Sequence, residues 1–249
     1  MPLQELSLFF PCHNEADNLE GLVADALAAL PALATTYEVI LVDDGSRDDT
    51  ATVAERLVQQ HGGVVRLVRH EVNRGYGGAL RSGFAAARYE HLAYTDGDRQ
   101  FRVVDLGRLV ACAEETRAPV VIGYRLRRAD PPLRLIYATV YRIANRVWFG
   151  LRVRDVDCAA KLFHRAALRG INVHSDGAFF SAELLIRLRV AGVKVAEVGV
   201  PHYPRTAGSP TGARVSVILR AVRDFWSLRI GLWVNRSRTL AKGMALISK

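Results

Sequence analysis

The sequence predicts an α/β fold, with a mostly parallel central sheet, helices on both faces and an amphipathic helix at the C-terminus. Two observations predict it. Short apolar runs alternate with helical periodicity through the first half of the 249 residues, and three of those runs end in polar, largely acidic clusters. Such alternation gives right-handed crossovers and a parallel sheet, whose ligands gather at the carboxyl ends of the strands.

Leu6 to Pro11 reads as a buried strand, followed by a helix over Asn18 to Leu30 that stops at Pro31. Tyr37 to Val42 is a second strand closed by Asp43-Asp44-Gly45-Ser46, and a helix runs from Asp49 or Thr50 to Gln60. Val64 to Val68 forms a third strand. A glycine-rich loop, Asn73 to Gly78, leads into a helix over Ala79 to Arg88. His91 to Thr95 is a fourth strand that runs into Asp96-Gly97-Asp98.

The second half is less regular. It reads as strands at Val120 to Gly123, Ala159 to Phe163 and Lys194 to Val198, with helices at Leu133 to Phe149 and Ala182 to Val190. Pro201 to Thr211 is a loop, and Arg214 to Leu232 a basic amphipathic helix. The simplest division is a domain over residues 1–212 and an appended helix and tail over 213–249.

Half the residues are hydrophobic, enough for a sizeable core. Cys12, Cys112 and Cys158 show neither disulfide nor zinc spacing, which predicts a reducing, cytoplasmic setting. No secretory leader and no transmembrane helix are expected. The net charge of +9 suits anionic partners. Because the arginines are spread along the chain without interleaved aromatics, nucleic acid is not expected among them.

Asp96 and Asp98, at i and i+2 past a strand, point the same way if the backbone is extended. Two carboxylates there can share a hard cation, Mg²⁺ or Mn²⁺, completed by water and phosphate oxygens. Alone, the tripeptide reads more readily as a solvated Asp-Gly turn. Asp43-Asp44-Gly45-Ser46 reads equally as a capping turn or as carboxylates accepting from a base or ribose.

The ordered set PCHNE (11–15), VDDGSRDDT (42–50), NRGYGGALRSGF (73–84), TDGDRQF (95–101), IGYR (122–125), DVDCAAKLF (155–163) and VPHYPRTAGS (200–209) resembles the inverting family 2 glycosyltransferases of GT-A fold. Within them it is most similar to the dolichyl- or polyprenyl-phosphate mannose synthase-like branch, over roughly residues 5 to 230. The resemblance implies that Pro11, Glu15 and Asp43 or Asp44 bind the base and ribose, with His13 where the family carries tyrosine. Asn73, Arg74 and Gly75 would close over the nucleotide. Asp96 would touch the ribose or sugar, and Asp98 and Gln100 would hold the metal. Gly97 stands where alanine is commoner. Arg125, Arg134 and Arg205 match basic residues around the diphosphate and acceptor phosphate. Asp155 opens the DxxxxxK stretch, and Glu183 is the acidic residue of the following helix.

Ala159 and Ala160 depart from the family's Gly-Phe, and Gly208-Ser209-Pro210 lacks the lysine common in dolichyl-phosphate synthases. Both changes fall on the acceptor side. The implied reaction moves a hexose of mannose or glucose type from a GDP- or UDP-sugar to a polyprenyl phosphate, with metal and inversion. A soluble transferase acting on a hydroxyl is the alternative; it needs a base, for which Asp155, Asp157 and Glu183 are candidates. The basic C-terminal helix suits peripheral attachment to the cytoplasmic membrane face, or simple packing on the domain.

Overall fold

A computed structural model of the chain describes residues 2–126, 132–205 and 215–247; the side chains of 132–136, 215 and 235–247 are outside that description. The first half runs β1 (Leu3–Cys12), α1 (Ala16–Leu33), β2 (Ala34–Asp43), α2 (Thr50–Gln60), β3 (Val65–Arg69), α3 (Tyr76–Ala86) and β4 (His91–Tyr94). The second runs α4 (Leu106–Thr116), β5 (Val120–Arg125), α5 (Pro132–Phe149), β6 (Lys161–His164), α6 (Phe180–Val190), β7 (Val195–Val200) and α7 (Val215–Ile247).

The strands form one seven-stranded sheet in the order β3-β2-β1-β4-β6-β5-β7. All pairings are parallel except those of β6, which lies antiparallel between β4 and β5. From β1 the chain winds outward through β2 to β3, then returns to place β4 on the other flank of β1. The crevice past the ends of β1 and β4 is therefore a topological switch point, where such sheets bind ligands. Helix α1 contacts α2 and α4, whereas α3 contacts α6 across the other face.

The core fills the space between these layers. Leu6, Leu8, Phe9 and Phe10 of β1 and Val39 to Val42 of β2 are all buried, as a strand covered on both faces requires. Phe9, Phe84, Tyr94 and Phe163 form an aromatic cluster with centroid separations of 5.0–6.3 Å. Gly83 admits it, because a Cβ there would collide with the Phe9 ring. Helix α7 is anchored by Phe225 and Leu228, with Phe225 against Phe149 and Phe179 at 4.8 and 5.8 Å. Among the described residues no helix is long and apolar enough to cross a membrane.

Several boundaries differ from the sequence reading. Helix α1 continues through Pro31, which sits in its last turn. Helix α3 begins at Tyr76, three residues earlier than its glycines suggested, since Gly77 and Gly78 are helical. Helix α4 was not anticipated, and β6 starts at Lys161 instead of Ala159.

Candidate active site

The loops after β1 and β2 are knit together at the switch point. Asp44 N–H donates to Cys12 O (2.9 Å), Asn14 N–H to Ser46 Oγ (2.9 Å), and Arg47 N–H to Asn14 Oδ1 (2.8 Å). Asn14 adopts the left-handed conformation, φ 57°, which asparagine tolerates better than most residues. Asp43 Oδ1 accepts from Ser46 N–H (3.0 Å), closing a turn whose Gly45 has φ +64°. A Cβ at Gly45 would lie 2.6 Å from the backbone of Val72 and Asn73.

The glycine-rich loop docks on Asp44. Its Oδ1 accepts from Arg74 N–H (2.8 Å) and meets His70 Nδ1 (2.7 Å), while His70 Nε2 meets Ser82 Oγ of α3 (2.8 Å). Asn73 donates from Nδ2 to Asp44 O (3.1 Å) and accepts from Gly75 N–H (3.1 Å). His13 Nδ1 lies 3.1 Å from Asp44 O and 3.2 Å from Asn73 Nδ2. Residues Pro11, His13, Asp43, Asp44, Asn73 and Gly75, far apart in sequence, thus share one corner.

Asp96 and Asp98 lie past β4, but not in extended geometry. Asp98 Oδ1 accepts from Gln100 N–H (3.1 Å), and Arg99 between them is left-handed, φ 58°. The turn fixes the Asp98 carboxylate against its own backbone. Arg99 is held by Asp25 (2.8 Å) with its guanidinium over Gly21. Tyr76 Oη donates to Asp96 Oδ1 (2.9 Å). Arg205 Nη2 donates to Asp98 Oδ2 (2.7 Å), and Arg205 Nη1 is 3.8 Å from Glu15. Gly97 lies close to Pro11 O and Cys12 Sγ; a Cβ would be 3.1 Å from each, so the alanine commoner in the resembling family would require both to give way slightly.

Arg205 is positioned by backbone pairing. Tyr203 N–H donates to Gln100 O (2.9 Å), Gln100 Nε2 to Tyr203 O (3.2 Å), and Arg102 stacks on the Tyr203 ring at 4.1 Å. The segment after β7 is thereby fastened to the Asp98 loop.

The acidic cluster is electrostatically strained. Burial, together with the neighbouring Asp98 charge, pushes the Asp96 carboxyl up to about 7. Burial also raises Glu15, with Asp98 adding to it and the Asn18 hydrogen bond opposing. Carboxylates so placed fit a hard divalent cation, which favours oxygen donors and relieves their repulsion. Among the described residues no three acidic, histidine or cysteine side chains close into a cage. Such an ion would therefore take the rest of its shell from water and phosphate oxygens.

At the end of β5, Arg125 and Asp155 form a bidentate pair. Arg125 Nε donates to Asp155 Oδ2 (2.7 Å) and Nη2 to Oδ1 (2.8 Å), with both side chains 7% exposed. Glu183 accepts from Ser175 N–H and Oγ, His174 N–H and Arg187 Nε, at 2.6–3.1 Å. Burial alone would raise its pKa, but these donors outweigh it and hold the carboxylate below its usual range. Both groups thus serve as braces and are poorly placed to accept a proton from a substrate. Asp157 is exposed nearby. The Arg134 side chain, the Gly208–Pro210 loop and Arg214 fall outside the described residues.

Three participants were missed. Tyr76 and His70 act through tertiary contacts, although Tyr76 lies within the NRGYGG motif. Lys161 was quoted only within its motif, yet a lysine between Ala160 and Leu162 in an apolar run is itself a signal. It is fully buried; its Nζ donates to Val156 O (3.2 Å) and Cys158 O and lies 5.5 Å from the Tyr94 ring. It pins the 155–160 segment from behind.

Residues 7–171 match Glycosyl transferase family 2. Glycosyltransferase AglD of Haloferax volcanii is 30% identical over 254 residues; the match covers 97% of this chain but 40% of that protein, so the chain spans well under half of its length. Human dolichyl-phosphate beta-glucosyltransferase is 32% identical over 218 residues, covering 80% of this chain and 67% of the relative. Among solved structures, glucosyl-3-phosphoglycerate synthase from Mycobacterium tuberculosis, in complex with Mn²⁺, UDP and glucosyl-3-phosphoglycerate, superposes with a TM-score of 0.69 at 21% identity. It covers 92% of this chain and 80% of its own, a likeness of GT-A-like fold. The chain belongs to glycosyl transferase family 2 and is a glycosyltransferase.

Proposed function

We propose that the protein transfers a hexose, with inversion, from a nucleoside-diphosphate sugar to a polyprenyl phosphate. One observation carries this reading: of the three candidate bases, Asp155 is paired bidentately with Arg125 and Glu183 accepts four hydrogen bonds, so a hydroxyl acceptor would have to rely on the exposed Asp157. A hydroxyl acceptor requires a base, whereas a phosphate monoester is already anionic near neutral pH and needs none. The name of the human relative, a dolichyl-phosphate transferase, supports the same acceptor class.

In this reading Pro11, His13, Glu15, Asp43, Asp44, Asn73 and Gly75 hold the nucleoside, and Asp96 meets the ribose or sugar. Asp98, with Gln100, holds Mg²⁺ or Mn²⁺, which when bound supplies Lewis-acid neutralisation of the diphosphate. Arg205 sits beside those carboxylates, placed to contact a diphosphate oxygen, and a guanidinium can do so in bidentate fashion. Arg125, held by Asp155, and Arg134 are assigned to the acceptor phosphate. Holding the two phosphates in line across the anomeric carbon is the main contribution required of the protein, because the nucleophile arrives charged.

Residues 1–212 form the transferase unit and 213–249 an appendage. Exposed Leu219, Trp226 and Trp233 on α7, with Arg220 and Arg223, suit peripheral contact with a cytoplasmic membrane face. The test is incubation with labelled UDP- and GDP-hexoses, Mn²⁺ and polyprenyl phosphate. A lipid-linked hexose is expected. Glycosylation of hydroxyl acceptors alone would overturn the assignment.

A further inference from the structure

A groove of about 710 Å³ opens on the outer flank of the sheet, away from the switch point. Its floor is apolar, from Leu151, Leu185 and Val195, and its walls carry Arg146, Arg152 and Arg189. Arg189 is fixed there: Nη1 donates to Phe149 O (3.0 Å), and the guanidinium covers Gly150, where φ is +67° and a Cβ would lie 2.8 Å from Nη2. Arg146 and Arg152 have no acidic partner among the described residues. The one carboxylate in the lining, Glu197, accepts from Arg154 N–H (2.7 Å).

The rim of the groove is the last turn of α5, where Val147 and Trp148 are exposed by 71% and 45%. Trp148 meets Trp226 of α7 at 5.0 Å, and Arg229 lies 5.9 Å above its ring. Of the large apolar side chains exposed among the described residues, only Val72, Val104, Leu126 and Val190 lie outside α5 and α7. The groove therefore opens beside a two-helix apolar face studded with arginine.

We propose that the Arg146–Arg152–Arg189 groove binds the phosphate headgroup of an anionic phospholipid, seating α5 and α7 on a bilayer. Charge complementarity selects this occupant. A second copy of the chain would set arginine against arginine, whereas an anionic surface attracts each basic residue by about 1 kcal/mol. The segment from Leu151 to Asp155, four residue steps with a bend at Arg154, spans at most about 14 Å at about 3.6 Å per residue. A headgroup in the groove thus holds the acceptor loop near the depth at which lipid phosphates lie. Only this last consequence rests on the acceptor proposed above; the binding itself does not.

The test is flotation of the whole protein, without donor or acceptor, with phosphatidylcholine vesicles containing or lacking phosphatidylglycerol. Binding is expected to require the anionic lipid and to persist in inorganic phosphate at constant ionic strength. The double variant Arg146→Gln/Arg152→Gln should bind roughly 30-fold more weakly, two arginines at about 1 kcal/mol each. Val147→Asp on the rim should weaken it in the same direction, and both variants should keep the hydrolysis rate of the nucleotide sugar in detergent. Unchanged vesicle affinity in either variant would overturn the proposal. So would equal binding to neutral vesicles, or displacement by inorganic phosphate, which would mark a site for soluble anions. Because no glycosyl transfer is measured in the flotation arm, a wrong acceptor assignment leaves its outcome untouched.

Discussion

Replacing Asp155 by asparagine separates a brace from a base. The side chain keeps its size, so what changes is the charge facing Arg125. In the wild type, two bonds of 2.7 and 2.8 Å join groups that are each 7% exposed. Removing one partner leaves a guanidinium desolvated without its counter-charge, which costs about 3–5 kcal/mol for a buried pair. For a domain of this size, each kcal/mol moves Tm by about 2–4 °C, so a loss of about 6–20 °C is expected. Differential scanning calorimetry on wild type, Asp155→Asn, Arg125→Met and the double variant measures it. The double variant should recover much of the loss, because neither charge is then left unpaired. An Asp155→Asn protein with wild-type Tm that has lost transfer to a hydroxyl acceptor would refute the reasoning and restore Asp155 as a base.

Three further outcomes are expected. Gly45→Ala forces a left-handed alanine against the Val72–Asn73 backbone; it should cost about 2 kcal/mol or more in urea unfolding and raise the donor KM more than it lowers kcat. Asp96 has its folded pKa raised from 3.8 to about 7, so the folded state binds the extra proton between those values. The stability that Asp96 contributes to the metal-free protein is then fully present below about pH 4 and lost as pH rises through about 7. The loss is about 2–4 kcal/mol once the solvent still reaching Asp96 is allowed for, and Asp96→Asn should flatten the urea-midpoint profile across that range. Finally, a nucleoside diphosphate with Mn²⁺ at about 100 times its Kd should stabilise the wild type by about 2.7 kcal/mol in thermal shift, and Asp98→Asn should abolish that gain.

The strand ends were legible because a run such as YEVILV, buried on both faces, must stop where two aspartates begin. What lay beyond local pattern was mostly direction and partnership. Nothing in KLFH encodes that β6 runs against its neighbours; that follows from where the chain stands after α5. The start of α3 was hidden because glycine is a poor helix former, yet Gly77 is required there since a Cβ would strike Ser175 O. The extended-strand argument for Asp96 and Asp98 reached the right neighbourhood by the wrong geometry, for the chain already turns at Gly97 and Asp98 and continues into a left-handed Arg99. Helix α4 carries a local signal, Leu106, Leu109 and Val110 at helical spacing, all of them buried. The Glu183–Arg187 pair is an i,i+4 contact within one helix, but the hold of Arg125 on Asp155 and of His174 and Ser175 on Glu183 was beyond local pattern, because those partners lie 8 to 30 positions away.

The charge distribution imposes an order on binding. The corner proposed for the donor gathers Glu15, Asp96 and Asp98 beside Arg205, whose guanidinium is already paired with Asp98, while Lys161 acts on Asp96, whose carboxyl is raised to about 7. A nucleoside diphosphate brings further negative charge to the same place. At about 4 Å and an effective dielectric near 20, each additional like-charge contact costs about 4 kcal/mol, more than one shared arginine can repay. On the proposed roles, the donor should therefore enter as its divalent-metal complex, and the free nucleotide should bind more weakly. The overall charge of +9 does not contradict this, because it acts at long range. It draws anions toward the surface, while the acidic corner decides which of them can stay.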